Sequence, residues 1–195
     1  MKTKVIFFLA MIFAMSLNVF AQNVTPKFGI ELNGGASFAT SKLAGAELKT
    51  GIGFEGTFHY NFIPELGIYA GWGWNKNKSD LSFAGSDCDC EETGYVFGLQ
   101  YNRPFGESAV NWYVRAGGLY NHIEVENKEG DIIADTGHGM GWQLAGGLQV
   151  DLGKNWSLTP GVKFNSLSRD VDFEGINHEM NLNYLSVRVG ILKKF

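Results

Sequence analysis

The stretch that most constrains this chain is its final one, Asn183 to Phe195, reading NYLSVRVGILKKF. Leu185, Val187, Val189 and Ile191 alternate there with Tyr184, Ser186, Arg188 and Gly190. A period of two builds a strand with one apolar and one polar face. A last strand left at a sheet margin would expose a row of unpaired backbone groups. Pairing it back onto the first strand removes that edge and closes a barrel. The stretch ends on an aromatic, Phe195, which such a closing strand would place at the rim.

The same alternation recurs in seven earlier segments, near 27–38, 51–62, 65–74, 93–103, 110–122, 139–152 and 156–167. Each is close to the ~9–11 residues with which a tilted strand crosses a bilayer. The connections alternate between tight ones, at 63–64, 104–109 and 153–155, and long polar ones, at 39–50, 75–92, 123–138 and 168–182. Short turns on one rim and long loops on the other belong to transmembrane barrels. The reading is therefore an all-β, eight-stranded, antiparallel, up-and-down transmembrane β-barrel, with both ends of the chain on the periplasmic rim. All five Trp fall on the apolar face and toward strand ends: Trp72, Trp74 and Trp142 near one rim, Trp112 and Trp156 near the other. Indole collects at the two membrane interfaces, so these residues are expected to form an aromatic girdle. A soluble lipocalin-like barrel would turn the same apolar face inward, and the Trp bands and the turn asymmetry speak against it. Pro160 lies inside a segment paired on both sides and donates no ladder hydrogen bond, so a bulge or rim position is expected there.

A basic start, Met1-Lys2-Thr3-Lys4, precedes an apolar run to Leu17 and a small residue, Ala21, which together read as a signal peptide over residues 1–21. The barrel domain would then span 22–195, exported across the inner membrane. Loss of the two lysines in the leader would take the formal net charge from −4 to −6. An acidic chain lacks the basic surface that nucleic acid binding needs. The 26 Gly favour sheet and turn over helix.

With these features on the page, the chain resembles the small outer-membrane β-barrel family of the OmpX and OmpA transmembrane-domain type, often labelled the porin family. The resemblance covers the whole exported part and rests on pattern: a secretory start, eight alternating strands, a glycine-rich inner face and a terminal Phe195. It implies an outer-membrane location, the lipid bilayer as surroundings, and insertion by the barrel assembly machinery with Phe195 as the assembly signal. Lys193 and Lys194 depart from that pattern by placing two charges beside the rim. The family's roles range over adhesion, structural support and narrow pores.

Three places could carry function. The inner face holds Glu31, Glu55, Arg115, Lys163 and Arg188, with Tyr69, Gln100, Tyr113 and Gln143 between them. An eight-stranded barrel is about wide enough for side chains to fill it, and buried charges must pair, so a polar network that plugs the lumen is expected, with Arg188 beside Glu31 and Glu55. The long loops hold most of the 20 acidic residues, among them Glu91, Glu92, Glu124, Glu126 and Asp135, together with apolar Leu81, Ile132 and Ile133. The acidic loops read first as a solvated surface and alternatively as a binding site for divalent cations, since carboxylates are hard oxygen ligands; no segment there has the ordered spacing of a calcium loop, and no cofactor or metal ligand is assigned. Cys88 and Cys90, the only cysteines, fall in the second loop, where an oxidising compartment would favour a disulfide, although one across a single residue is strained. No Ser and acid accompany His122 at a spacing that suggests a rim-located lipid-modifying enzyme, so no catalytic residue is assigned. The chain reads as a structural or surface-interaction protein acting through its outer loops on an extracellular partner, with a narrow diffusion channel as the alternative.

Overall fold

The computed structural model describes residues 27–82, 85–173 and 175–195. The leader expected over 1–21 lies outside them. The chain runs as β1 Phe28–Ala39, β2 Gly51–Asn61, β3 Leu66–Ser82, β4 Gly85–Pro104, β5 Val110–Glu126, β6 Ile132–Asp135, β7 Gly139–Gly153, β8 Trp156–Leu158, β9 Gly161–Phe173 and β10 Ile176–Lys194. Consecutive strands pair antiparallel from β1 to β5; β5 pairs with β7, β7 with β8 and β9, and these with β10. β10 pairs back onto β1 from Ala39↔Tyr184 to Gly29↔Lys194. Beyond the last ladder rung, the Phe195 N–H donates to the Phe28 carbonyl at 2.8 Å. With β8 and β9 as one interrupted strand and β6 as the return arm of a hairpin on β5, the ring formed by the described residues has eight members and no free edge.

Pro160 accounts for the interruption. The pairings of β8 and β9 with β7 and with β10 continue in one register across it, so the ladder has no bulge at this point. The Leu148 N–H still donates to the Pro160 carbonyl at 2.9 Å, and Thr159 keeps both its bonds to Gly190. Proline costs the ladder a single donor and nothing in register.

The long connections expected at 75–92, 123–138 and 168–182 are mostly strand. β3 and β4 pair as far as Ser82↔Gly85, and β9 and β10 as far as Phe173↔Ile176. At a rise of ~3.3 Å per residue, a 20-residue strand such as β4 runs about 65 Å, or about 45 Å tall at a ~45° tilt, against an outward apolar band of about 25 Å in barrels of this kind. The wall therefore continues well past the apolar band, away from the end that holds Phe28 and Phe195. Residues 40–50 remain a loop. Leu43 and Ala46 bond to each other across Ala44 and Gly45, both with positive φ, a tight reversal that folds Leu43 into the barrel mouth.

The two faces exchange character along the wall. Near the terminal end, Leu185, Val187, Val189 and Ile191 point outward and are exposed, while Ser186 and Arg188 point inward and are buried. Farther along β10, Met180, Leu182 and Tyr184 are the inward, buried residues, and Asn181 and Asn183 face out. β5 makes the same exchange: Val114 and Tyr120 are exposed, and beyond them Ile123 and Val125 turn in while His122, Glu124 and Glu126 turn out. Apolar residues thus face outward across the band and inward beyond it. The extension consequently has a core of its own, in which Cys88, Cys90, Leu119, Ile123, Val125, Leu167, Val171, Met180 and Leu182 pack beneath Leu43. Strand register lines part of it up directly: Val96 opposes Leu119, and Leu167 opposes Leu182.

Candidate functional site: the filled lumen

Two acid–base groups cross the middle of the barrel. Glu31, from β1 and 1% exposed, accepts from the Arg115 guanidinium of β5 at 2.5 Å and from the Thr159 hydroxyl at 2.9 Å, and lies 3.3 Å from His59 Nε2. Arg115 also donates through Nε to Gln100 at 2.6 Å. Its guanidinium lies over Tyr113, with Cζ 4.4 Å from the ring centre, a cation–π contact. Glu55, from β2, accepts from the Lys163 ammonium of β9 at 2.6 Å. Each pair therefore links strands that share no ladder: Glu31 and Arg115 join β1 to the opposite β5, and Glu55 and Lys163 join β2 to β9, with β1 and β10 between them. Such a brace needs both partners, because a carboxylate out of water without a cation is strongly disfavoured.

Arg188 plays a smaller part than its place on β10 suggests. Its Nη1 is 4.0 Å from Glu55 and donates instead to Asn33 at 3.2 Å. It therefore stands beside Glu55, as its strand position suggested, but at the outer limit of an ion pair, and among the described residues it makes none with Glu31. Lys163 reaches Glu55 first, and Arg115 occupies Glu31.

The tyrosines fill the space that glycines leave. Gly98 and Gly117 oppose each other on β4 and β5, and a Cβ at either would lie 2.7 Å from the Tyr69 hydroxyl. Gly147 and Gly161 oppose each other on β7 and β9 beside the Tyr113 hydroxyl. Each phenol covers a cross-strand glycine pair, and Gln143 donates to the Tyr69 hydroxyl at 2.9 Å. The cavity left among Glu31, Glu55, Tyr69, Tyr113, Arg115 and Lys163 is about 20 Å³, near the room that one ordered water occupies. Toward the terminal end the interior widens into a polar mouth of about 140 Å³, lined by Asn61, Glu65, Asn102, Asn111, Gln149 and Lys194.

Glu92 was missed by sequence reasoning, which placed it in a loop. It stands on β4 with its side chain inside the barrel, 3% exposed, and accepts from Tyr184 and Asn121. Its position two residues from Cys90 in strict alternation was the available signal. Arg169, also assigned to a loop, lies on β9 and donates to carbonyls of Asn121, Gly139 and Met140, joining β5 and β7 where the latter begins. Cys88 and Cys90 lie on β4 and not in a loop; both are buried and free. Alternate residues of an extended strand hold their Cα atoms ~6.6 Å apart with side chains parallel, near the outer limit for a disulfide.

On the outer surface the tryptophans stand in two tiers. Trp72 and Trp142 are exposed toward the extension, beside Trp74, whose Nε1 donates to Glu91 at 2.7 Å. Trp156 is exposed toward the terminal end, and Trp112 packs on Tyr101 there. Lys193 lies 5.1 Å from the Trp156 ring centre and 5.9 Å from that of Phe195, and donates to the Lys154 carbonyl. Its charge thus reaches past the rim while its stem covers aromatic surface, which reconciles the terminal lysines with an apolar band. In the loop at 40–50 the Lys42 ammonium hydrogen-bonds Glu47, and this bond, aided by its charge, holds the Glu47 carboxyl below the usual carboxylate range.

A family model described as the outer membrane protein beta-barrel domain matches residues 7–191. Among solved structures, neisserial surface protein A superposes with a TM-score of 0.65 at 18% identity, covering 86% of this chain and 97% of that one. Outer membrane protein W of E. coli gives 0.58 at 15% identity over 89% and 100% of the two chains. OprG of Pseudomonas aeruginosa gives 0.56 at 15% over 87% and 97%. No curated protein matches the sequence. At these identities the structural likeness concerns the fold, whereas the family match spans nearly the whole chain; with a closed ring and an outward apolar band flanked by tryptophans, this chain belongs to the outer membrane protein β-barrel family and resides in the outer membrane.

Proposed function

We propose that the protein is a surface-interaction and structural component of the outer membrane, acting through the wall that stands beyond the bilayer, which we assign to the extracellular side. The closed interior carries this reading. Paired charges and tyrosines fill the middle of the lumen down to a cavity of about 20 Å³, and a packed apolar core fills the extension. A conduit would require both layers to move aside, and close-packed interiors resist that. The extension is instead a rigid, acidic platform whose far tips expose Leu81, Ile132 and Ile176. Rigid scaffolds with variable tips are where binding sites arise. A leader over residues 1–21 and insertion by the barrel assembly machinery through Phe195 belong to the same proposal, as does the lack of enzymatic activity.

Planar bilayer recordings on the purified protein test it. The expected result is no stable conductance, together with loss of surface adhesion or partner binding when residues 77–90 and 125–134 are replaced by two-residue turns, which keep Lys76 opposite Glu91 and Glu124 opposite Asp135. Ion-selective openings that survive those replacements and change with Glu55→Gln or Lys163→Met would overturn the proposal in favour of a channel.

A further inference from the structure

Just above the outward apolar band, β4, β5 and β6 set acid against acid. The register places Asp89 opposite Glu126, Glu91 opposite Glu124, and Glu124 opposite Asp135. Like charges directly across a ladder destabilise it. Lys76 of β3 relieves one side: its ammonium lies 2.8 Å from Asp89, 2.7 Å from Glu91 and 3.1 Å from Glu126. Glu124 and Asp135 are left, and among the described residues neither meets a Lys or Arg within 4 Å. What they meet is His122, with the Gly137 N–H also donating to Asp135 Oδ1 at 2.8 Å. The His122 Nδ1 is 3.1 Å from Asp135 Oδ1 and 3.5 Å from Glu124 Oε1, and the three donor atoms all lie within 4.8 Å of one another. The imidazole is only 13% exposed, held in part by the ring of His138, stacked on it at 4.4 Å and 15°.

We infer that His122, Glu124 and Asp135 form a binding site for a first-row divalent transition cation of the Zn²⁺ class. Three features select that class. A tetrahedral ion with bonds of ~2.1 Å separates its donors by ~3.4 Å, and the two separations from His122 Nδ1 fall on either side of that value. One imidazole nitrogen with two carboxylates is a borderline donor set, whereas Ca²⁺ and Mg²⁺ take oxygen throughout. The donors also stand on a rigid hairpin, His122 and Glu124 on the outward face of β5 and Asp135 across from them on β6, so little ordering remains to be done on binding. An ion held between His122 Nδ1 and the two carboxylates would offset the charge that Lys76 does not reach and would leave a fourth position for water. The inference is independent of what the extension binds.

Titration of the full chain, refolded in detergent, with ZnCl₂ in a calorimeter tests it, with CoCl₂ as a visible-absorbing probe. The expected result is one ion per chain, affinity at least tenfold weaker in both His122→Ala and Asp135→Asn, and no competition from a tenfold excess of Mg²⁺. The cobalt form should show d–d absorption that His122→Ala removes, while Asp170→Asn, an acid on β9, changes nothing. Heat-dependent gel mobility establishes that each variant is folded, and His122→Gln, which retains a hydrogen-bonding side chain, should lose the ion while keeping the barrel. Equal binding by wild type and folded variants, equal competition by Mg²⁺, or no binding by the wild type would each overturn the site.

Discussion

Replacing Arg115 by Met takes away the cation that faces Glu31 and keeps most of the side-chain volume. Glu31 is 1% exposed and cannot turn to solvent. It would retain the Thr159 hydroxyl at 2.9 Å and His59 at 3.3 Å, two neutral or weakly compensating groups. Breaking a buried ion pair costs about 3–5 kcal/mol; with those two contacts remaining, the low end applies, about 3 kcal/mol, or roughly a hundredfold in the folded-to-unfolded ratio. Arg188→Met is the internal control. Glu55 keeps Lys163 at 2.6 Å, so the loss is mainly the hydrogen bond to Asn33, about 1 kcal/mol. Adding Glu31→Gln to Arg115→Met should recover much of the loss, because an apolar or neutral pair often replaces a buried ion pair at little cost. Urea unfolding of the refolded protein in lipid vesicles, followed by gel mobility and Trp fluorescence, reads all three. Equal midpoints for wild type, Arg115→Met and Arg188→Met would mean that water screens the lumen charges, and the plugged-barrel argument would fall with them.

Two further outcomes are expected. Gly117→Val drives a side chain toward the Gly98 backbone and the Tyr69 hydroxyl; it should lower refolding yield and destabilise the barrel by about 1–3 kcal/mol, as scored by the fraction of heat-shifted protein, and a wild-type yield would show that the tyrosine layer is loose. Leu119→Ala, at a residue with no exposure in the row shared with Val96, should cost about 2–5 kcal/mol and open the extension to protease before the membrane band; unchanged digestion would mean that the extension has no cooperative core.

Much of the barrel was legible because a half-buried strand writes its orientation into every second residue. Ile30 and Leu32 against Glu31, or Val187 and Val189 against Arg188, state which side meets lipid without any tertiary knowledge. The strands stopped being legible where that environment changed. Beyond Tyr120 the outward residues are His122, Glu124 and Glu126, and a wall bathed in water has the composition of a loop. The alternation persists there with the apolar set on the other face, Ile123 and Val125, and the eye trained on lipid-facing residues reads it as irregular. Glu92 and the two cysteines were misplaced for that one reason.

Which charges meet was a separate matter. The sequence by itself determined that Glu31, Glu55, Arg115, Lys163 and Arg188 share an interior, since parity along a strand is local. Only the closed ring decided that Arg115 reaches Glu31 and Lys163 reaches Glu55, leaving Arg188 to Asn33. Those pairings depend on the stagger and tilt with which eight strands close, a property of the whole circuit of ladders that no segment carries alone. The pairing of β5 with β6, invisible in a stretch that reads as loop, likewise set Glu124 and Asp135 beside His122.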